Sequence, residues 1–141
     1  MSKVALELKG ITKRFGSVVA NNNVNLCAYK GEILSLLGEN GSGKTTLMNM
    51  ISGIYYPDEG QIFINGEEAV ISSPRDAFDY KIGMIHQHFK LVDVFTAAEN
   101  IVLGLNEKGG YKIKKATLKV AEIAEKYGFD IEPKKKIHEM S

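Results

Sequence analysis

The segment Gly38-Glu39-Asn40-Gly41-Ser42-Gly43-Lys44-Thr45-Thr46 constrains this chain more than any other. It spells Gly-x-x-x-x-Gly-Lys-Thr between two stretches of opposite character. Ahead of it, Glu32-Ile33-Leu34-Ser35-Leu36-Leu37 is a short apolar run suited to a parallel strand buried on both faces. Behind it, Leu47-Met48-Asn49-Met50-Ile51-Ser52 suits a helix stopped at Gly53. Strand, glycine-rich turn and helix together build a cradle for phosphate. Gly38, Gly41 and Gly43 permit positive φ and close approach of backbone to ligand, and so let successive backbone N–H groups converge on an anion. The helix N-terminus favours negative charge, Lys44 reaches the β- and γ-phosphates, and Thr45 offers a hydroxyl to Mg²⁺. Glu39, Asn40 and Ser42 contribute mainly backbone groups, and Thr46 follows Thr45 into the helix. Nucleotide binding is the first functional expectation.

Composition narrows the setting. The chain has 141 residues, 44% hydrophobic and 25% charged, which suits one α/β domain with a core. A net charge of +1 gives no general affinity for polyanions, so nucleic acid is not an expected partner. Lys134-Lys135-Lys136 reads as solvated surface. The one cysteine, Cys27, sits in a strand-like pattern and fits a small core residue in a reducing compartment. No run approaches the roughly 18 apolar residues of a membrane span, and a cytoplasmic location is expected.

Val4–Leu8, Val18–Ala20, Val24–Ala28 and Gln61–Asn65 alternate between turn signals and are predicted strands. Ile82-Gly83-Met84-Ile85 is predicted as a second buried strand. Ser73-Pro74 opens a short helix through Tyr80, and Thr96-Ala97-Ala98-Glu99 is a capping box that launches a helix to about Leu105. Ile113, Ala116, Val120, Ile123, Ala124 and Tyr127 form one helical stripe ending at Gly128.

Four stretches then carry a family resemblance: Ile11-Thr12-Lys13-Arg14-Phe15-Gly16, the phosphate loop, Gly53 through Gly60, and Gly83-Met84-Ile85-His86-Gln87. In order and spacing the chain resembles the ATP-binding subunits of ABC transporters over its whole length. His86 through Val92 with Thr96 through Gly104 look most like importers of nucleosides and simple sugars. The resemblance implies a P-loop NTPase core of the ABC type, RecA-like, with an antiparallel β subdomain and part of a helical subdomain. The expected division is 1–95 for β subdomain and core and 96–141 for the helical portion. ATP and Mg²⁺ are the implied cofactors. Phe15 matches the aromatic residue that stacks on adenine, and Gln87 matches a glutamine that coordinates Mg²⁺ and takes part in catalysis. A transmembrane permease and a second nucleotide-binding domain, as dimer or tandem, are the implied partners. The subunit would lie on the inner face of the cell membrane. The apolar segment from Phe89 to about Leu105 is the expected docking surface, with packing of the helical subdomain as the alternative.

The chain departs from the family pattern at its end. It contains neither the apolar strand ending in Asp-Glu nor the switch histidine, and Met140-Ser141 resembles only the first two residues of the Leu-Ser-Gly-Gly-Gln motif. The absent strand belongs beside the phosphate-loop strand, so the central sheet is expected to be incomplete, with apolar surface uncovered and poor stability. Two functions stay open: the N-terminal part of an importer ATPase, or a non-hydrolysing module that binds nucleotide or permease. A ribosome- or DNA-directed ABC protein fits less well, and a GTPase lacks an Asn-Lys-x-Asp segment.

Overall fold

Alternating residues near the N-terminus pair into one antiparallel sheet. The computed structural model describes residues 3–86, 91–103 and 112–140, in two compact units, Met1–Ile85 and His86–Ser141. In the first unit, β1 (Val4–Phe15), β2 (Val18–Tyr29), β3 (Glu59–Ile64) and the two-residue β4 (Glu67–Glu68) form a sheet of order β2-β1-β3-β4. The β3–β4 turn is Asn65-Gly66, both at positive φ, as a tight hairpin requires.

Val18–Ala20 and Val24–Ala28 are predicted as separate strands, yet β2 is continuous across the intervening asparagines. Polar side chains bridge the irregular register there. Asn23, at φ 51, donates its N–H to Thr12 Oγ1 at 2.9 Å, and Gly10 N–H donates to Asn25 Oδ1 at 2.9 Å. Side-chain oxygens replace ladder acceptors, so the strand bends without breaking.

The inner face of this sheet meets α1 (Lys44–Ile51). Leu8, Ile11 and Ile62 from the sheet bury against Leu47, Met50 and Ile51, and Ala69, Ile71 and Ala77 complete the cluster. Full burial of each large aliphatic side chain contributes about 1.5–3 kcal/mol. The helix α2 (Pro74–Asp79) starts as its sequence predicts, with Ser73 Oγ accepting from Asp76 N–H and Pro74 in the first turn.

Two predicted strands are not strands. Residues 32–37 and 82–86 carry no ladder pairing, and Ile33, Leu37 and Ile85 are 96%, 89% and 87% exposed. An apolar run of this kind is stable as a strand only between neighbours that pair with its edges and cover its faces. Among the described residues no strand lies alongside either segment, which agrees with an incomplete central sheet.

In the second unit, α3 (Ala97–Val102) packs on α4 (Ile113–Tyr127). The predicted capping box is present: Glu99 N–H donates to Thr96 Oγ1, and Thr96 N–H donates to Glu99 Oε2 at 2.7 Å. The Thr96 amide, then its hydroxyl, hold the Glu99 carboxyl below the usual carboxylate range. The next two α3 donors are met from far along the chain, Ala97 N–H by Lys135 O and Ala98 N–H by Pro133 O, both at 3.0 Å. Of the predicted α4 stripe, Ala116, Val120 and Ala124 are buried, while Ile113, Ile123 and Tyr127 are exposed. A six-residue partner helix covers only a narrow strip of a fifteen-residue one. Gly128, at φ 69, ends α4 as predicted. Among the described residues no helix is long and apolar enough to cross a membrane.

Candidate functional site

Residues 38–46 form a turn that delivers the chain into α1. Gly41 (φ 85) and Gly43 (φ 83) adopt the left-handed conformation that glycine permits. Gly38 does not. An added Cβ there would lie 2.8 Å from Ser42 Oγ, which would have to shift, and 3.8 Å from Lys44 Nζ, an ordinary contact. Gly43 is constrained twice, because a Cβ there would also lie 2.2 Å from the carbonyl oxygen of Ala20. The end of the loop is thus seated directly on β2.

Lys44 folds back over this turn. Its ammonium donates to Gly38 O and Glu39 O, each at 2.7 Å, and to Ser42 Oγ at 3.2 Å. A full positive charge is therefore stationed beside the α1 N-terminus. Unlike α2 and α3, α1 has no side chain capping its first amides and no acidic residue in its first turn. Open N–H donors, the positive end of the helix dipole and an ammonium converge without a competing carboxylate, an arrangement that suits a polyphosphate. Thr45, the second residue of α1, is exposed, as are Glu39, Asn40 and Ser42, while Thr46 is half-buried. The exposed Thr45 hydroxyl in the first helical turn is a hard oxygen donor of the type Mg²⁺ takes.

Phe15 terminates β1 and is 43% exposed, which excludes a buried core ring. It lies opposite Val18, three residues before Asn21 on β2, and Asn21 Nδ2 donates to Gly43 O at 3.3 Å. Three strand residues span about 10 Å along β2. The ring meets Tyr55 edge-to-face, with centroids 5.2 Å apart and planes at 71°. Asp58 braces the strand end by accepting from Lys13 Nζ at 2.8 Å and Arg14 N–H at 2.6 Å. These two contacts, the lysine first, hold the Asp58 carboxyl below its ordinary pKa.

Asn21 lies in no quoted motif, and Tyr55 lies within the Gly53–Gly60 stretch without a role assigned to it there. Asn21 is 6% exposed, and its Oδ1 has no partner among the described residues. The hint lies in composition alone, a polar residue inside an apolar strand. Gln87 lies outside the described residues, as do His88, Phe89 and Lys90. Of the expected docking segment, Leu91, Val94, Phe95, Ile101 and Leu103 are exposed apolar residues.

Comparisons with known proteins converge on one family. The model of the ABC transporter domain matches residues 21–141. The guanosine import ATP-binding protein NupO of Bacillus subtilis is 49% identical over 138 residues, which are 96% of this chain and 27% of that protein. The nucleoside import ATP-binding protein NupA of Lactococcus lactis is 46% identical over 99% of this chain and 28% of its own length. The chain thus spans less than a third of these relatives. A crystal structure of a nucleotide-free ATP-binding cassette from an ABC transporter superimposes with a TM-score of 0.78 and 25% identity, over 98% of this chain and 59% of that one. Phosphate loop, adjoining sheet and helices have one common explanation: the chain belongs to the ABC transporter family.

Proposed function

We propose that this chain is the nucleotide-binding part of an ABC importer, whose whole protein couples ATP binding and hydrolysis to uptake of a nucleoside or simple sugar. The observation that carries the reading is the uncapped N-terminus of α1 with Lys44 held over the loop at Gly38 and Glu39. The names of NupO and NupA, both nucleoside importers, support the solute class.

In this reading the backbone amides of residues 41–45 receive the β-phosphate, and Lys44 exchanges its loop carbonyls for β- and γ-phosphate oxygens. Carbonyls are neutral acceptors, so a polyphosphate outcompetes them for the ammonium. By the family resemblance Thr45 and Gln87 would hold Mg²⁺, which would offset phosphate charge, with Gln87 the residue that takes part in catalysis. Glu39, Asn40, Ser42 and Thr46 shape the cradle, and Phe15 stacks on the adenine. The partners are a membrane permease, docked through the segment from 89 to 105, and a second nucleotide-binding domain; the site of action is the inner face of the membrane.

The test is Mg-ATP affinity of the full-length protein by calorimetry. Lys44→Ala is expected to weaken binding at least about tenfold, in line with loss of a charge-assisted bond. Unchanged affinity in a folded variant sinks the reading.

A further inference from the structure

Phe15 is a poorly confined ring by itself. It stands at a strand end, Gly16 follows it at φ 58, and much of its surface is open. A ring free to change rotamer loses that freedom when a ligand stacks on it, and the loss weakens binding. Lys13 Nζ lies over its face at 5.6 Å from the centroid, and one aromatic neighbour restricts it at the edge. Tyr55 packs edge-to-face at 5.2 Å, in the range where aromatic pairs attract, and is itself 38% exposed.

Tyr55 is fixed from two sides. Ile54 N–H and Tyr55 N–H both donate to Asn49 O, at 2.8 and 3.2 Å, which ties the segment to the last turn of α1. Three residues on, Asp58 N–H donates to Thr12 O at 2.9 Å, while the Asp58 carboxylate grips Lys13 and the Arg14 amide. The segment from Ile54 to Asp58 therefore bridges the far end of α1 and the end of β1. The near end of α1 is the phosphate loop, so a continuous packed path joins the cradle to the Phe15 ring.

We propose that Tyr55 is a positioning residue for nucleotide-base recognition: it holds the Phe15 ring ready to stack without touching the phosphates. This rests on the reading of Phe15 as the stacking ring. The tyrosine hydroxyl has no part in it, so the aromatic edge alone carries the effect.

The test compares Mg-ATP with inorganic tripolyphosphate, which has the phosphates and no base, as ligands of the full-length protein. Tyr55→Leu is expected to weaken ATP about 2- to 10-fold, the scale of one aromatic pair, and to leave tripolyphosphate unchanged. Tyr55→Phe is expected to bind ATP like the natural protein. In a Phe15→Ala background Tyr55→Leu is expected to add nothing. Should the leucine variant fail to fold, Tyr55→Met fills similar space without a π edge and carries the same expectation. Equal weakening of ATP and tripolyphosphate overturns the proposal in favour of a purely structural role. Unchanged ATP affinity in Tyr55→Leu, with a loss in Phe15→Ala, overturns it while leaving the stacking reading intact. Unchanged ATP affinity in Phe15→Ala removes both.

Discussion

Two apolar stretches of the first unit, β1 and the run from Glu32 to Leu37, have similar hydrophobic content and opposite fates. In β1, Leu8 and Ile11 are fully buried, with β2 on one edge and β3 on the other. In the second run Ile33 and Leu37 are exposed, and among the described residues no strand lies on either edge. The difference is one of where partners lie. An antiparallel strand finds its neighbour across a two-residue turn, as β1 finds β2 across Gly16-Ser17. A parallel strand needs a crossover and a neighbour distant in sequence. Hydrophobicity therefore declares that a segment is to be buried, and topology decides whether the chain at hand can bury it.

The sharpest way to break this comparison is a matched pair of truncations in the 141-residue chain. Ile11→Ala is expected to cost about 2–5 kcal/mol in urea unfolding, and Ile33→Ala less than about 0.5 kcal/mol. Equal losses would mean that the 32–37 run finds cover in solution, from a second copy of the chain. A second effect is expected where the phosphate loop meets the sheet, at the contact of Gly43 with β2. Gly43→Ala meets both a positive φ and the Ala20 carbonyl, and about 1–3 kcal/mol is expected from backbone strain alone. A neutral result in the same measurement would unseat the loop from the sheet.

The smallest effect concerns the pinned end of β1. Because the Asp58 carboxyl titrates below its unfolded value of about 4, its contribution is fully present above that pH. It is lost as pH falls through the folded value. Thermal melts from about pH 5 downward should show the advantage of the natural protein over Asp58→Asn shrinking with acid. A gap that widens with acid would contradict the Lys13 and Arg14 contacts.

What could be read from the residues tracks this same division. The helix α1 and its stop at Gly53, the Ser73-Pro74 start and the Thr96–Glu99 box are decided within one turn of chain, and all appear as predicted. The strands over 32–37 and 82–85 depend on distant partners and do not form. At the site, the loop's position before α1 was legible, whereas the space beside Gly38 depends on where Ser42 and Lys44 turn back. The contacts of Tyr55 with Phe15 and of Asn21 with Gly43 were not legible, because a bulged register and the end of a helix create them. No motif records such an encounter.

The strap from Pro133 to His138 has a consequence in time. It supplies acceptors to Ala97 and Ala98 and donates from Ile137 to Phe95 O, so the start of α3 is completed by residues made long after it. On the ribosome, the α3 segment would emerge with the amides of Ala97 and Ala98 still bound to water. Only when the strap follows out of the exit tunnel does the helix gain its last acceptors. Synthesis up to this point thus ends with a closure event, one that a nascent chain arrested before Pro133 lacks and one arrested well beyond His138 has completed.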